Sequence, residues 1–224
     1  MSFGDKKLSE IAVSVPGSTS LLRKYDLDFC CGGSDTLANA AAEKGLNLAE
    51  IETRLTELQN SKAENPEEYW VNATYPEIID HILVRYHQRH REQLQELIVL
   101  ADRVESVHGD REDCPMGVAG ELRNVYEDLS NHMMKEEHVL FPMIKTGNYM
   151  MAQMPIRMME MEHAEHGEHL DVLKSLTNNM TPPADACNTW RALYSGIQEF
   201  ADDLMMHIHR ENNILFPRVI AENH

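Results

Sequence analysis

Two segments of this chain end almost alike: "HMMKEEHVLFP" occupies 132–142 and "HIHRENNILFP" occupies 207–217. Each sets a histidine four residues before a glutamate, His132 with Glu136 and His207 with Glu211, and each then runs into Leu-Phe-Pro. Residues four apart share one face of a helix, separated by about 6 Å of rise. Each of these segments also has a matched predecessor. "HQRHREQL" begins at His87 and "HAEHGEHL" at His163, both reading His-x-x-His-x-Glu-x-Leu. His87 lies 45 residues before His132, and His163 lies 44 before His207. A duplication of that length, with no period-two β-branched run in this half, reads as one helical hairpin used twice. Joined by short connections, two such hairpins make an all-α antiparallel four-helix bundle.

The expected helices run from a capping box at Thr74 and Glu77 to Gly109, then over roughly 116–145, 155–178 and 184–221. In an antiparallel bundle, residues that meet at one level lie equally far from the turn between their helices. The midpoint of His87 and His132 falls in "HGD", that of His163 and His207 in "TPPADA", and that of Glu136 and His163 in "KTGNYMMAQMP". All three are turn signals. The spacing therefore brings His87, His132, His163 and His207 to one layer, with Glu136 and Glu211 one turn along.

Four imidazoles and two carboxylates are costly to bury together without a cation, because the carboxylates repel and lose solvation. Two ions suit the set better than one. The repeat symmetry expects His87 and His132 on one ion and His163 and His207 on the other, with both glutamates bridging. An oxo or hydroxo bridge makes five donors per ion and leaves a sixth position open. Imidazole with carboxylate suits iron, manganese or zinc; bundles with bridging carboxylates are di-iron or di-manganese, and two non-haem irons are the expectation. His90 and His166 share a repeat position one turn along and are expected near the site or at the surface. His138 becomes Asn213 in the second copy, His209 is offset from His207, and His81, His108, His169 and His224 have no repeat counterpart. Glu162, beside His163, reads as a solvated helix residue.

Residues 1–60 form a separate unit of short apolar-periodic runs broken by Pro16, Gly32, Gly33 and Gly45, a small helical N-terminal domain. Residues 61–73, polar and Pro-containing, read as a linker, and 74–224 as the bundle. Lys and Arg total 20 against 37 Asp and Glu, a formal charge of −17 that argues against nucleic acid and anionic membrane surfaces. No apolar run approaches membrane-spanning length and no secretion signal opens the chain, so the expected location is the cytoplasm. Fourteen methionines are expected to fill gaps in helical cores. Of four cysteines, Cys30 and Cys31 are adjacent, too strained for an ordinary bridge, and expected to be accessible between Phe29 and two glycines. Cys114 and Cys187 lie near turns and receive no role.

"YDLDFCCGG" at 25–33, "SNHMMKEEHVLFPMIK" at 130–145 and "HIHRENNILFPR" at 207–218 resemble the repair-of-iron-centres (YtfE-like) family, across essentially the whole chain. The resemblance implies a haemerythrin-like bundle behind a small N-terminal domain, and a cytoplasmic di-iron protein that restores iron–sulfur clusters after oxidative or nitrosative damage. It carries the family's iron ligands onto His87, His132, Glu136, His163, His207 and Glu211. It also gives Cys30 and Cys31 a part in repair, by accepting iron, sulfur or nitric oxide equivalents or by docking a client. The implied partners are damaged iron–sulfur proteins and small ligands such as nitric oxide or oxygen. A haemerythrin-like oxygen- or nitric-oxide-binding module is the alternative. Reduction of nitric oxide at the irons, the electron donor and a homodimer are left open.

Overall fold

The computed structural model describes residues 2–61 and 64–222. Two positions of the expected linker (62 and 63) and His224 lie outside the described residues. The chain divides into two compact units, the first of residues 1–78 with 206–224 and the second of residues 79–205.

The first unit contains α1 (Leu8–Ser14), α2 (Ser18–Lys24), α3 (Leu37–Glu43), α4 (Leu48–Asn60) and α5 (Pro66–Asn72). Side-chain caps set three of the starts: Thr36 accepts from the Asn39 N–H, Asn47 from Glu50 and Asn65 from Glu67. Leu8, Ile11, Leu22, Leu27, Phe29, Leu37, Ile51 and Leu55 form its buried core. Each such side chain contributes roughly 1.5–3 kcal/mol by leaving water. The stretch read as a linker carries α5, with Pro66 in its first turn and Glu67 buried. Glu67 is held by an ion pair with Arg210, whose guanidinium lies 4.8 Å from the Trp70 ring centroid. The capping box is present: the Thr74 N–H donates to Glu77 Oε2 at 2.8 Å, and Thr74 Oγ1 accepts from the Glu77 N–H at 3.4 Å.

The second unit is the body of the bundle. Its helices belong to four continuous runs, α6 (75–108), α7 (118–145), α8 (149–176) and α9 (188–221). Contacts between neighbours run in opposite order along the two partners, which fixes the antiparallel sense. Arg91 pairs with Glu137 and Asp102 with Arg123; Glu121 pairs with His169 and Glu162 with His132; Arg85 pairs with Asp203 and Arg89 with Glu199. Leu97, Leu122, Leu129, Ile156, Leu173, Trp190, Ile197 and Phe200 are among the residues that fill the interior. Helices α6 and α9 touch closely at Gly196, where an added Cβ would meet Leu97 Cδ2 at 2.7 Å. The second turn is only 146–148, so α8 begins six residues earlier than expected, and Pro155 lies inside it. The methionines depart from their expected role. Met150, Met151, Met154, Met158 and Met161 stand exposed along α8, which leaves Met133 and Met159 as core fillers. Among the described residues no helix is long and apolar enough to cross a membrane.

Candidate metal centre

The repeated Leu-Phe-Pro tail has a structural role. Glu136–Leu140 and Glu211–Leu215 are π-helical turns within otherwise α-helical runs. The Phe141 N–H donates to the Glu136 carbonyl and the Phe216 N–H to that of Glu211, five residues back in each case. Pro142 and Pro217 follow immediately. A proline inside a helix has no N–H for the carbonyl four residues back, and its ring crowds that carbonyl. Widening the preceding turn relieves the conflict. Each wide turn opens on the glutamate of interest, and π turns favour such positions. A third, Ile82–His87, ends on His87, with the Gln88 N–H bonded to the Leu83 carbonyl.

Within the bundle unit the structure brings together His87, His132, Glu136 and His163, all buried. His87 Nδ1 is 2.8 Å from Glu137 Oε1, and Arg91 Nη2 is 2.7 Å from the same oxygen. The ring turns Nδ1 to Glu137 and Nε2 to Glu136, 3.3 Å from Oε2. His132 repeats the arrangement, with Nδ1 3.0 Å from Glu162 Oε2 and Lys135 Nζ 2.6 Å from Glu162 Oε1. Its Nε2 lies 3.4 Å from Glu136 Oε2 and 3.1 Å from His163 Nε2. The carboxylates that orient the rings are strongly acidic. The His87 hydrogen bond, reinforced by Arg91, holds Glu137 at about 2, and the His132 hydrogen bond with Lys135 does the same for Glu162.

Glu136 is fully buried, and neither of its oxygens accepts a hydrogen bond. A carboxylate buried without a hydrogen bond is destabilised unless something positive lies against it. One ligand atom from each of His132, Glu136 and His163 falls within 4.8 Å of the others, as one ion requires. The donor set fits a metal. The repeat pairs His87 with His132, whereas the imidazole that His132 meets is that of His163, at 3.1 Å between Nε2 atoms. Glu162 is likewise no idle surface residue. His166 packs edge-on against His132 at 4.9 Å between centroids, and His90 lies edge-on to Phe200 at 5.4 Å.

In the other unit His207 and Glu211 are buried together, Nε2 to Oε1 at 3.2 Å. His209, also buried, meets Phe29 edge-on at 5.4 Å and accepts from Asn213 Nδ2 at 2.8 Å. Burial pushes the His209 pKa down despite the neighbouring Glu67. Burial works the other way on Glu67, but His209 and Arg210 outweigh it and keep that carboxyl below its usual range.

The cysteine loop sits on the wide turn after Glu211. Asn212 Nδ2 donates to the Cys30 carbonyl at 3.0 Å, and Asn213 Nδ2 to that of Phe29 at 2.8 Å. These two asparagines occupy the places of Glu137 and His138 in the first copy, so the repeat diverges where the second copy holds the loop. Asp28 Oδ1 accepts from the N–H groups of Cys30 and Cys31, each at 2.9 Å, and Oδ2 from Gly32 at 2.8 Å. Cys31 is half-exposed as expected, but Cys30 is buried. The hydrogen bond with Cys31, followed by burial, raises the Cys30 thiol well above its ordinary value. Glu137, Asp28, Asn212 and Asn213 were not singled out from the sequence. The carboxylate next to a ligand was the available signal for Glu137, as for Glu162.

Residues 78–219 match the family model described as the hemerythrin HHE cation binding domain, and residues 4–59 match ScdA_N, a domain of unknown function. A probable iron-sulfur cluster repair protein of Haemophilus influenzae is 67% identical, covering 99% of this chain and 100% of its own. The iron-sulfur cluster repair protein YtfE of Citrobacter koseri is 55% identical, covering 99% of each chain. The protein of that name from Escherichia coli O81 is also 55% identical with 99% coverage of each.

Proposed function

The chain belongs to the YtfE-like family of iron–sulfur cluster repair proteins built on a haemerythrin bundle, and from that premise we propose that it holds two non-haem iron ions and uses them to restore damaged clusters in the cytoplasm. The ligands in this reading are His87, His132, Glu136, His163, His207 and Glu211. The observation that carries it is Glu136, a fully buried carboxylate without a hydrogen bond, faced by the Nε2 atoms of His87 and His132 at 3.3 and 3.4 Å. His132 and His163 would serve one ion, and His207 and Glu211, the repeat counterparts of His132 and Glu136, would supply further donors.

Bound iron would supply a redox-active ion with room for a diatomic ligand such as nitric oxide or oxygen, and a cargo for an emptied cluster. The protein's part is preorganisation. Glu137 and Glu162 hold the Nδ1 protons and aim the rings. Phe141, stacked at 5.7 Å on His87, walls the ligand from water. Cys30 and Cys31 take part in the repair step, and damaged iron–sulfur proteins are the clients.

The test mixes iron-loaded full-length protein with an apo-ferredoxin, sulfide and a thiol, without added iron. Cluster absorbance should grow on the ferredoxin as iron leaves this protein. Zinc in place of iron in the isolated protein, or iron retained beside a colourless ferredoxin, would overturn the reading. Retained iron that bound oxygen or nitric oxide reversibly would favour the haemerythrin-like alternative.

A further inference from the structure

We propose that Cys30 and Cys31, with Asp28, form a second metal site that takes one thiophilic divalent ion in a tetrahedral setting. The inference deepens the part given above to the two cysteines, but its test reads sulfur ligation directly and does not depend on iron in the bundle. The two Sγ atoms are 3.8 Å apart. A tetrahedral ion with metal–sulfur bonds of about 2.3 Å places its two sulfurs about 3.8 Å apart, so this pair needs no rearrangement to chelate. Asp28 brings a carboxylate oxygen within 4.8 Å of both sulfurs and completes a three-donor cluster. Its Oδ2 accepts one hydrogen bond, from Gly32, and keeps a lone pair for the ion.

The loop is built to hold this shape. Asp28 ties three successive N–H groups, and Asn212 and Asn213 hold the carbonyls of Cys30 and Phe29. Gly33 sits where an added Cβ would lie 2.4 Å from the Phe29 carbonyl oxygen, so only glycine permits the closure. Half-exposed Cys31 and exposed Asp28 give the ion its way in. Binding is a proton exchange: two thiols release two protons, the ion takes two thiolates, and nothing is oxidised or reduced. The fourth position is left for water or for a cysteine thiolate of a second protein, the chemistry by which an ion would be handed on. The donor class, two sulfurs and one oxygen, suits zinc or ferrous iron.

Cobalt(II) is the probe. Full-length protein carrying Cys114→Ser and Cys187→Ser, reduced with a phosphine, is titrated with cobalt(II) alone. The histidine–carboxylate centre offers no sulfur, so thiolate-to-cobalt charge transfer in the near ultraviolet reports this loop only. At saturation one of the bound equivalents should develop that band with the intense visible absorption of tetrahedral cobalt. Further Cys30→Ser or Cys31→Ser should abolish the band with helicity unchanged, and Asp28→Asn should weaken binding roughly tenfold. Saturation with cobalt and no charge-transfer band would overturn the proposal. So would a band that survives either cysteine substitution.

Discussion

His132 and His163 face each other through their Nε2 atoms across 3.1 Å of buried bundle interior. His132 turns Nδ1 to Glu162 at 3.0 Å, which fixes the direction in which its Nε2 points. The Glu162 contact is thus a lever on the centre. Glu162→Gln should weaken metal retention roughly 10- to 100-fold while helicity stays intact. Glu137→Gln should do the same through His87. Competition with a chelator measures it; retention equal to wild type would mean the carboxylates do not orient the rings.

Glu136 makes opposite predictions for two states. In metal-free protein it is a fully buried carboxyl without a hydrogen bond, so Glu136→Leu should stabilise that form by about 1–3 kcal/mol, the cost of leaving such a group unsatisfied. The same change should strip metal from the loaded protein. Paired thermal melts with and without iron, alongside metal analysis, separate the effects. A melting temperature that falls in both states would show that Glu136 serves packing alone.

His169 sets a pH dependence apart from the proposed ligands. Burial lowers its pKa, but hydrogen bonds and charge from Glu121 and Asp128 outweigh burial and leave the value raised. The native state therefore holds the proton more tightly than the unfolded chain, whose histidine titrates near 6.5. The stabilisation is full below about pH 6.5 and disappears as pH rises through the folded value. His169→Gln should lower the melting temperature clearly at pH 6 and little at pH 9. Equal losses at both would assign the effect to packing.

Asn212 and Asn213 each contribute one hydrogen bond to the cysteine loop. A hydrogen bond is worth about 1 kcal/mol net, or about fivefold in a local opening equilibrium. Replacing either by alanine should therefore raise the alkylation rate of buried Cys30 about fivefold, and replacing both should raise it further. Unchanged kinetics would show that the loop is held by Asp28 and its own packing.

The helical class was legible in the 3.6-residue periodicity, and the level shared by His87, His132 and His163 was legible in the duplicated spacing about the turns. Spacing along a helix specifies height, because rise per residue is nearly constant. Rotation is different. His132 pairs with His163, Glu162 becomes a ring partner and Cys30 goes inside because of how helices turn against neighbours distant in sequence. The linker region hid a helix for a similar reason. Its polar residues look solvated until Glu67 meets Arg210, 143 positions away.

The sequence by itself determined an all-α chain with a duplicated hairpin and the family the chain belongs to. Tertiary structure alone decided which way the rings of His87 and His132 point, since that depends on carboxylates brought in from other helices. It also decided that the cysteine loop rests on the turn following Glu211. Local propensity acts over a few residues, whereas desolvation and hydrogen-bond partnership depend on what surrounds a group in three dimensions.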